Sequence, residues 1–452
     1  KSDDENGQVS LISSYFRLTR IRFNLQKGRQ AMESVIEKRQ RLLGAATLFY
    51  EQPVQIVRGK GVLLYDQTGK EYIDMYNNVP CVGHANPRVV EAMSKQMSTL
   101  NVHSRYLHEG ILEYAERLLA LHHDGIESAV FACSGTEASE VALIMARAAT
   151  GGRGIICSDA TYHGNSTEVI KMTLASRANT STDSDFRAIP YPQKLRPLIS
   201  GLDDESLCQL YVDEVKAAID DFKQQEIPFA GMFMCSIMAN EGLPDIPGRF
   251  MALATDLVHA AGGLMIADEV QAGYCRSGEW WGYEKTGFQP DIVTMGKPMG
   301  NGLPLSAVVS SHSNVAAFRK RSRYFNTFAS SPLQASVGIA VLDEIEQQNL
   351  RESSAAVGQY LRKELEGLVA GHDAIAEVRG CGLFAGIEWV NAEGEADAQG
   401  AARVSNLMKD KGFLLSNAGS QGNVIKLRPP LVFKQTHADR FLSAFQTMLK
   451  EY

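Results

Sequence analysis

The chain contains no C-x-x-C pair. Its seven cysteines, Cys81, Cys133, Cys157, Cys208, Cys235, Cys275 and Cys381, stand singly and are odd in number. That pattern argues against a disulfide framework and against a metal site, and it points to a reducing cytoplasm. No apolar run approaches the roughly 18 residues that span a bilayer, so no membrane partner is expected. The first ten residues, KSDDENGQVS, are acidic and polar and do not read as a signal peptide. Positive charge is in short supply: 45 Lys and Arg against 52 Asp and Glu leave a net charge of −7. No basic tract is long enough to suggest a nucleic-acid partner. The densest one, Arg17, Arg20, Arg22, Lys27 and Arg29, reads as a solvated, partly amphipathic segment. Internal repeats and low-complexity linkers are absent.

What remains is an ordinary globular composition, 44% hydrophobic and 21% charged. A chain of 452 residues exceeds what one hydrophobic core serves, so two or three domains are expected. A helical pattern runs from about Glu33 to Gln52. Two short strands follow around the turn Asp66-Gln67-Thr68-Gly69. NPRVVEAMSKQMSTL has helical spacing behind an Asn-Pro start, and ILEYAERLLAL repeats it. Then short apolar runs alternate with helical stretches: SAVFAC (128–133), GIICSD (154–159), AGMFMCSIM (230–238), GLMIAD (263–268), DIVTMG (291–296) and LSAVVSS (305–311). This alternation predicts a mostly parallel sheet covered on both faces. From about Ser336 a long helix opens a smaller α+β part.

In such sheets ligands sit at the carboxyl ends of the strands. After SAVFAC come Ser134-Gly135-Thr136, whose backbone N–H groups at a helix start suit an anion. The plainer reading is an N-cap by Ser134 or Thr136. After GIICSD comes Thr161-Tyr162-His163-Gly164, where Tyr162 is either a stacking aromatic or a half-buried turn residue. Asp268 ends a fully apolar strand and needs a partner, since an unpaired buried charge is costly. A cationic ring nitrogen would serve, and so would an arginine such as Arg276. Lys297 follows another buried strand, where burial lowers a lysine pKa and makes the amine a nucleophile or Schiff-base former. The alternative is a plain ion pair with Asp268 or Glu269. Together, a phosphate cradle, a stacking aromatic, a carboxylate and a buried lysine are the contacts that pyridoxal 5'-phosphate (PLP) needs.

At these residues the sequence resembles the class III aminotransferases, PLP enzymes of fold type I, from about Ala46 to the C-terminus. The motifs are GHANP, CSGTEASEVALIMARAATG, TYHGN, IADEVQAGYCRSG, TMGKPMGNGLPLSAV and NTFASSPLQ. The resemblance implies an α/β fold. Its large domain holds a mostly parallel seven-stranded sheet between helices, with a smaller α+β C-terminal domain beside it. The expected boundaries are 1–80 for an N-terminal arm and small-domain segment, 81–332 for the PLP-binding domain, and 333–452 for the small domain. It implies that Lys297 is the Schiff-base lysine and that Asp268 pairs with the pyridine nitrogen. Gln271 reaches the ring's phenolic oxygen, Val270 and Tyr162 sandwich the ring, and Gly135 and Thr136 hold the phosphate. Thr327 completes the phosphate site of a neighbouring subunit, which implies a homodimer with shared active sites.

Within the family, NNVPCVGHANPRVVEAMSKQ and LNVHSRYLHEGILEYAERL are most similar to the phospho-lyase branch. That branch includes ethanolamine-phosphate phospho-lyases and 1-hydroxy-2-aminoethylphosphonate ammonia-lyase. Many class III aminotransferases hold a substrate carboxylate with an arginine shortly before a Pro-Pro-Leu-like segment. Here NVIKLRPPLVF puts Lys426 at that position and Arg428 two residues later. A glutamate usual in the strand before DEVQ is missing, with Cys235 at about its place. Both departures suit one dedicated anionic amine, with Lys426, Arg428 and Arg105 as candidate anion binders. The expected activity is a lyase that eliminates a β-substituent from a small aminoethyl phosphate or phosphonate and releases ammonia and an aldehyde. The alternative is an ω-aminotransferase that passes the amino group to a 2-oxo acid.

Overall fold

A computed structural model describes residues 34–44, 46–173 and 185–452. The basic stretch from Arg17 to Arg29 lies outside these residues. The chain divides into two compact units, Lys1–Pro53 and Val54–Tyr452. In the first, a helix spans Val35–Leu43. Ser34 caps it, accepting from the Glu37 N–H while Glu37 reaches back to the Ser34 N–H. The helix is shorter than the pattern to Gln52 predicts, because Gly44 leaves it at φ +70°.

The second unit carries three sheets. The first contains β1 (Ile56–Lys60), β2 (Leu63–Asp66) and β3 (Glu71–Asp74). The second holds seven strands: β4 (Ser128–Ala132), β5 (Gly154–Ser158), β6 (Phe186–Ile189), β7 (Phe229–Cys235), β8 (Leu264–Asp268), β9 (Ile292–Met295) and β10 (Ser306–Ser310). The third comprises β11 (Ile375–Cys381), β12 (Phe384–Trp389), β14 (Ser416–Ala418) and β15 (Val424–Leu427). A short strand, β13 (Phe413–Leu414), leaves the C-terminal part and pairs parallel with β3.

The seven-stranded sheet runs β4-β10-β9-β8-β7-β5-β6. Its strands from β6 to β9 are parallel, and only β10 runs antiparallel to both neighbours. The reason is local. The connection 296–305 between β9 and β10 is too short for a helical crossover, so the chain turns back on itself. Lys297 sits at the start of that turn.

Alternate side chains feed two cores. Phe233, Ile266, Ile292 and Val308 pack on one face with Val141 and Met145 of the helix Gly135–Thr150. Met232, Met234, Met265, Val293 and Met295 pack on the other with Phe250 and Val258 of the helix Phe250–Ala260. Period-two alternation with both faces apolar gives the nearly continuous hydrophobic runs seen in the sequence. The strand absent from the motif reading is β6, whose sequence FRAI is too short and too polar to stand out. No helix of the described residues is long and apolar enough to cross a membrane.

Candidate active site

Three strands and one helix deliver the chemistry to one place. β4 ends at Ala132, and the helix Gly135–Thr150 begins two residues after Cys133. Ser134, in extended conformation, is its N-cap and accepts from the Glu37-like third position, here the Glu137 N–H at 3.2 Å. The Glu137 carboxylate reaches back to the Cys133 N–H at 2.9 Å. The plainer N-cap reading therefore holds for Ser134, and it leaves the N–H groups of Gly135 and Thr136 without a hydrogen-bond partner among the described residues. Both groups stand at the positive end of a 16-residue helix.

Gly135, Thr136, Tyr162, Asp268, Val270, Gln271 and Lys297 line one cavity, so seven predicted positions converge. Its walls are tight. A Cβ on Gly135 would lie 3.0 Å from Val270 Cγ1. A Cβ on Gly164 would lie 2.5 Å from Thr136 Oγ1, and Gly164 has φ +143°. Gly164→Ala must displace Thr136. Overpacking of this kind costs about 1–3 kcal/mol, so cofactor affinity is expected to fall by roughly 5- to 150-fold. Equilibrium dialysis checks this, with an unchanged far-UV spectrum showing that the fold persists. A larger depression of about 890 Å³ opens where Asp291 precedes β9, at the opposite ends of the parallel strands. It contains no lysine, and none of the predicted site residues lines it.

Asp268 is buried at the end of β8. Its partner is not Arg276, whose guanidinium is spent on the carbonyls of Leu383 and Pro429. Instead Asp268 Oδ2 lies 2.6 Å from His163 Nδ1, and Oδ1 accepts the Val270 N–H at 2.9 Å. An ionised carboxylate only accepts, so His163 carries its proton on Nδ1. His163 Nε2 then accepts from the Thr161 hydroxyl at 2.6 Å. This relay holds one carboxylate oxygen from behind. His163, Cys235 and Asp268 bring ligand atoms within 4.8 Å of one another, but the hydrogen bonds already engage His163 and Asp268.

Lys297 is not in an ion pair. Among the described residues its ammonium has no hydrogen-bond partner and no carboxylate within 4 Å. Burial holds its pKa below the usual lysine range. The Asp268 charge opposes that shift and the Arg428 charge adds to it. A neutral amine is therefore easier to reach here than in water.

Around the cavity runs a polar network. Arg428 donates from Nη1 to Gln271 Oε1 and from Nε to the Tyr76 carbonyl, the latter at 2.6 Å. Gln271 Nε2 donates to Asn240 Oδ1 at 3.1 Å, and Asn240 Nδ2 donates to the Tyr162 carbonyl at 3.2 Å. Lys426 lies on β15 and donates to the Ala239 carbonyl at 3.1 Å. Burial pushes its pKa down to about 7, with the Arg428 charge acting in the same direction. Burying the charged form costs stability in full below about pH 7, and the cost is relieved as pH rises from there to the ordinary lysine range, where only the unfolded chain still holds the proton. Lys426→Met is expected to raise ligand-free stability near pH 7 by about 1–4 kcal/mol. The gain shrinks as pH rises and is lost above the ordinary lysine pKa of 10.5, where both states are neutral. Urea titrations across that range check it.

Two predicted residues lie elsewhere. Arg105 is exposed, with its guanidinium 4.2 Å from the centroid of the Phe325 ring. Thr327 is exposed on the loop before the helix Pro332–Gln347. Asn326 anchors that loop by donating to Glu137 at 2.5 Å, beside the phosphate-cradle helix. The motif pattern does not single out His163 or Asn240. His163 stood inside TYHGN, but its partner is 105 positions away, and no sequence spacing signals that contact.

A buried, unpaired lysine at one strand end, a carboxylate at the next, and a free N–H cradle at a third are the donor set of a PLP site. Lys297, Asp268 and the Gly135–Thr136 backbone fit the aldehyde, the ring nitrogen and the phosphate in turn. Residues 49–449 match the family model for Aminotransferase class-III. The chain belongs to the class III aminotransferases, PLP-dependent enzymes of fold type I. It is similar to a solved phospholyase from Arthrobacter in complex with phosphoethanolamine, at 37% identity and a TM-score of 0.89, covering 93% of this chain and 100% of that one. It is 35% identical to alanine–glyoxylate aminotransferase 2 homolog 2, mitochondrial, of Arabidopsis thaliana, over 91% of this chain and 86% of the relative. It is 32% identical to ethanolamine-phosphate phospho-lyase homolog 1 of Caenorhabditis elegans, over 93% and 94%.

Proposed function

We propose that the protein is a PLP-dependent lyase that eliminates a β-substituent from a small aminoethyl phosphate or phosphonate, yielding ammonia and an aldehyde. One observation carries this reading. Lys426 and Arg428 are both buried beside the Lys297 cavity, and among the described residues neither has a carboxylate within 4 Å. Glu241 acts on Lys426 and Asp74 on Arg428 only from beyond that distance, and buried cations without a close counter-ion are costly. An anion on the substrate supplies the missing charge, and a phosphate or phosphonate dianion supplies it better than a carboxylate. The Arthrobacter phospholyase complex and the C. elegans relative support the same substrate class.

When bound, PLP serves as the sink for the electron pair left on the carbon next to nitrogen. Lys297 Nζ, kept low in pKa by burial, takes the proton from that carbon. Asp268 holds a proton on the ring nitrogen, and the His163 bond keeps its carboxylate aimed. Arg428 and Lys426 fix the anionic end, so the bond at the β-carbon is presented in one orientation. Val270 and Tyr162 provide an apolar and an aromatic wall for the ring.

A homodimer with shared sites goes with this reading. Thr327, Phe328, Tyr106 and Leu107 form exposed loops, with Leu107 fully exposed. Seven free thiols support a reducing cytoplasm. The second reading, an aminotransferase, is favoured by the Arabidopsis relative. The test is ammonia release by the PLP-loaded protein with no keto acid present. O-Phosphoethanolamine and both enantiomers of 1-hydroxy-2-aminoethylphosphonate are assayed, with inorganic phosphate measured in parallel. Sustained turnover identifies a lyase, and phosphate beside the ammonia identifies a phospho-lyase. Arrest after one equivalent, with the cofactor left in its amine form, identifies the aminotransferase.

A further inference from the structure

Arg428 stands behind Gln271, which lines the cavity. Its Nε is fixed on the Tyr76 carbonyl at 2.6 Å, and its carbon lies 4.4 Å from the Tyr76 ring centroid. The Tyr76 side chain also hydrogen-bonds the guanidinium, and the Arg428 Nη1 donates to Gln271 Oε1. An arginine only donates, so this contact decides which way the Gln271 amide faces. Oε1 must point to Arg428, and Nε2 must point away. One Nε2 proton goes to Asn240 at 3.1 Å. The second is left for the cavity that Gln271 lines. Asn78 fixes the Gln271 backbone carbonyl at 3.1 Å, so the amide turns on a held base.

A cation on the oxygen of an amide draws charge through it and makes its N–H a stronger donor. We propose that Arg428 is a specificity-determining residue that reports the substrate's anion to the cofactor ring through the Gln271 amide. It rests on the reading that Arg428 receives the substrate's anion. With no anion present, the guanidinium polarises Gln271, and its free N–H donates strongly to the acceptor facing it. When an anion arrives beside the guanidinium, its charge is shared and the polarisation falls. The Gln271 N–H donates less, and the ring oxygen it faces becomes more basic. Only an amine that carries the right anion therefore raises the basicity of the ring oxygen through Gln271, and a neutral amine leaves that contact unchanged. Asn240 is a positioning residue in this arrangement. It holds the far end of the amide and, through Tyr162, ties it to the opposite wall of the cavity.

The probe is methylphosphonate, an anion with no amine to react. PLP-loaded protein is titrated calorimetrically for binding, and the pH dependence of the cofactor's visible absorbance is followed with and without the probe. In the unaltered protein the probe binds and raises the apparent pKa of that absorbance by about half a unit or more. In Gln271→Leu, with the probe at a concentration that calorimetry shows to be saturating for that variant, at least half of the rise disappears. Asn240→Ala keeps the Gln271 amide but frees one end, and the rise shrinks there too. If Gln271→Leu and Asn240→Ala both show the full rise, the anion acts through space alone and the proposal is overturned, while the anion site stands. If the probe does not bind the unaltered protein, and Arg428→Met changes nothing, the anion-site reading fails and takes this proposal with it.

Discussion

Lys297→Ala is expected to remove sustained turnover, with a loss of about 10⁴-fold, the upper range for a positioned general base. A loss of this size requires that no second amine stands in, and none does: no other lysine lines the cavity. The variant should fold, because Lys297 gives up no ion pair among the described residues and its burial opposes its charge. A thermal melt at or above that of the unaltered protein would show this. Lys297→Arg should be as inactive, since a guanidinium stays protonated and neither attacks nor accepts a proton. The sign of the pH dependence follows from the same surroundings. Activity falls as pH drops through the depressed Lys297 pKa, because the amine protonates and ceases to be a base. Arg428 is one cause of that depression, so removing it moves the acid limb to higher pH. The readout is single-turnover proton abstraction followed by exchange of a deuterated substrate carbon. A loss below about tenfold in Lys297→Ala would move the chemistry to another residue.

The parts of this site that the sequence made legible share one property. Lys297, Asp268 and Gly135–Thr136 each follow an apolar run directly, so their place at a strand end can be counted from neighbouring residues. Local order carries that information. His163 and Asn240 act through contacts 105 and 31 positions away, with Asp268 and Gln271. Such contacts exist only once β5, β7 and β8 lie side by side, and nothing in the local pattern encodes them. The same limit applies to Lys426 and Arg428. The departure from an arginine at position 426 was visible, but that Glu241 and Asp74 act on these cations only from a distance depends on what the fold packs against them. Asp268 shows the converse. Its need for a partner was apparent from its apolar strand, yet Arg276, a nearby candidate in sequence, is turned toward carbonyls of the C-terminal part.

Arg428→Met should separate the two activities most sharply. Truncating one member of a desolvated, hydrogen-bonded charge pair costs about 2–5 kcal/mol. The KM for O-phosphoethanolamine or the aminophosphonate is then expected to rise by roughly 30- to 4000-fold. A neutral amine of similar size makes no such pair. For it the substitution removes a buried cation that burial already strains, as its lowered pKa records, so its KM stays level or falls. The decisive quantity is the ratio of kcat/KM between the anionic and the neutral amine, which should fall by about the same factor as the anionic KM rises. Arg428 also braces the Gln271 amide and the Tyr76 carbonyl, and a loss of bracing would lower both substrates alike. An equal loss for both would therefore make Arg428 a structural residue, and the anion would have to be sought at Lys426 alone. An unequal loss assigns the anion to Arg428. Arg428→Lys then becomes informative: an ammonium restores the charge but not the fork that grips Tyr76 and Gln271 together. It should recover part of the affinity for the anionic amine and return the acid limb of the pH profile toward its original position, since the charge beside Lys297 is restored.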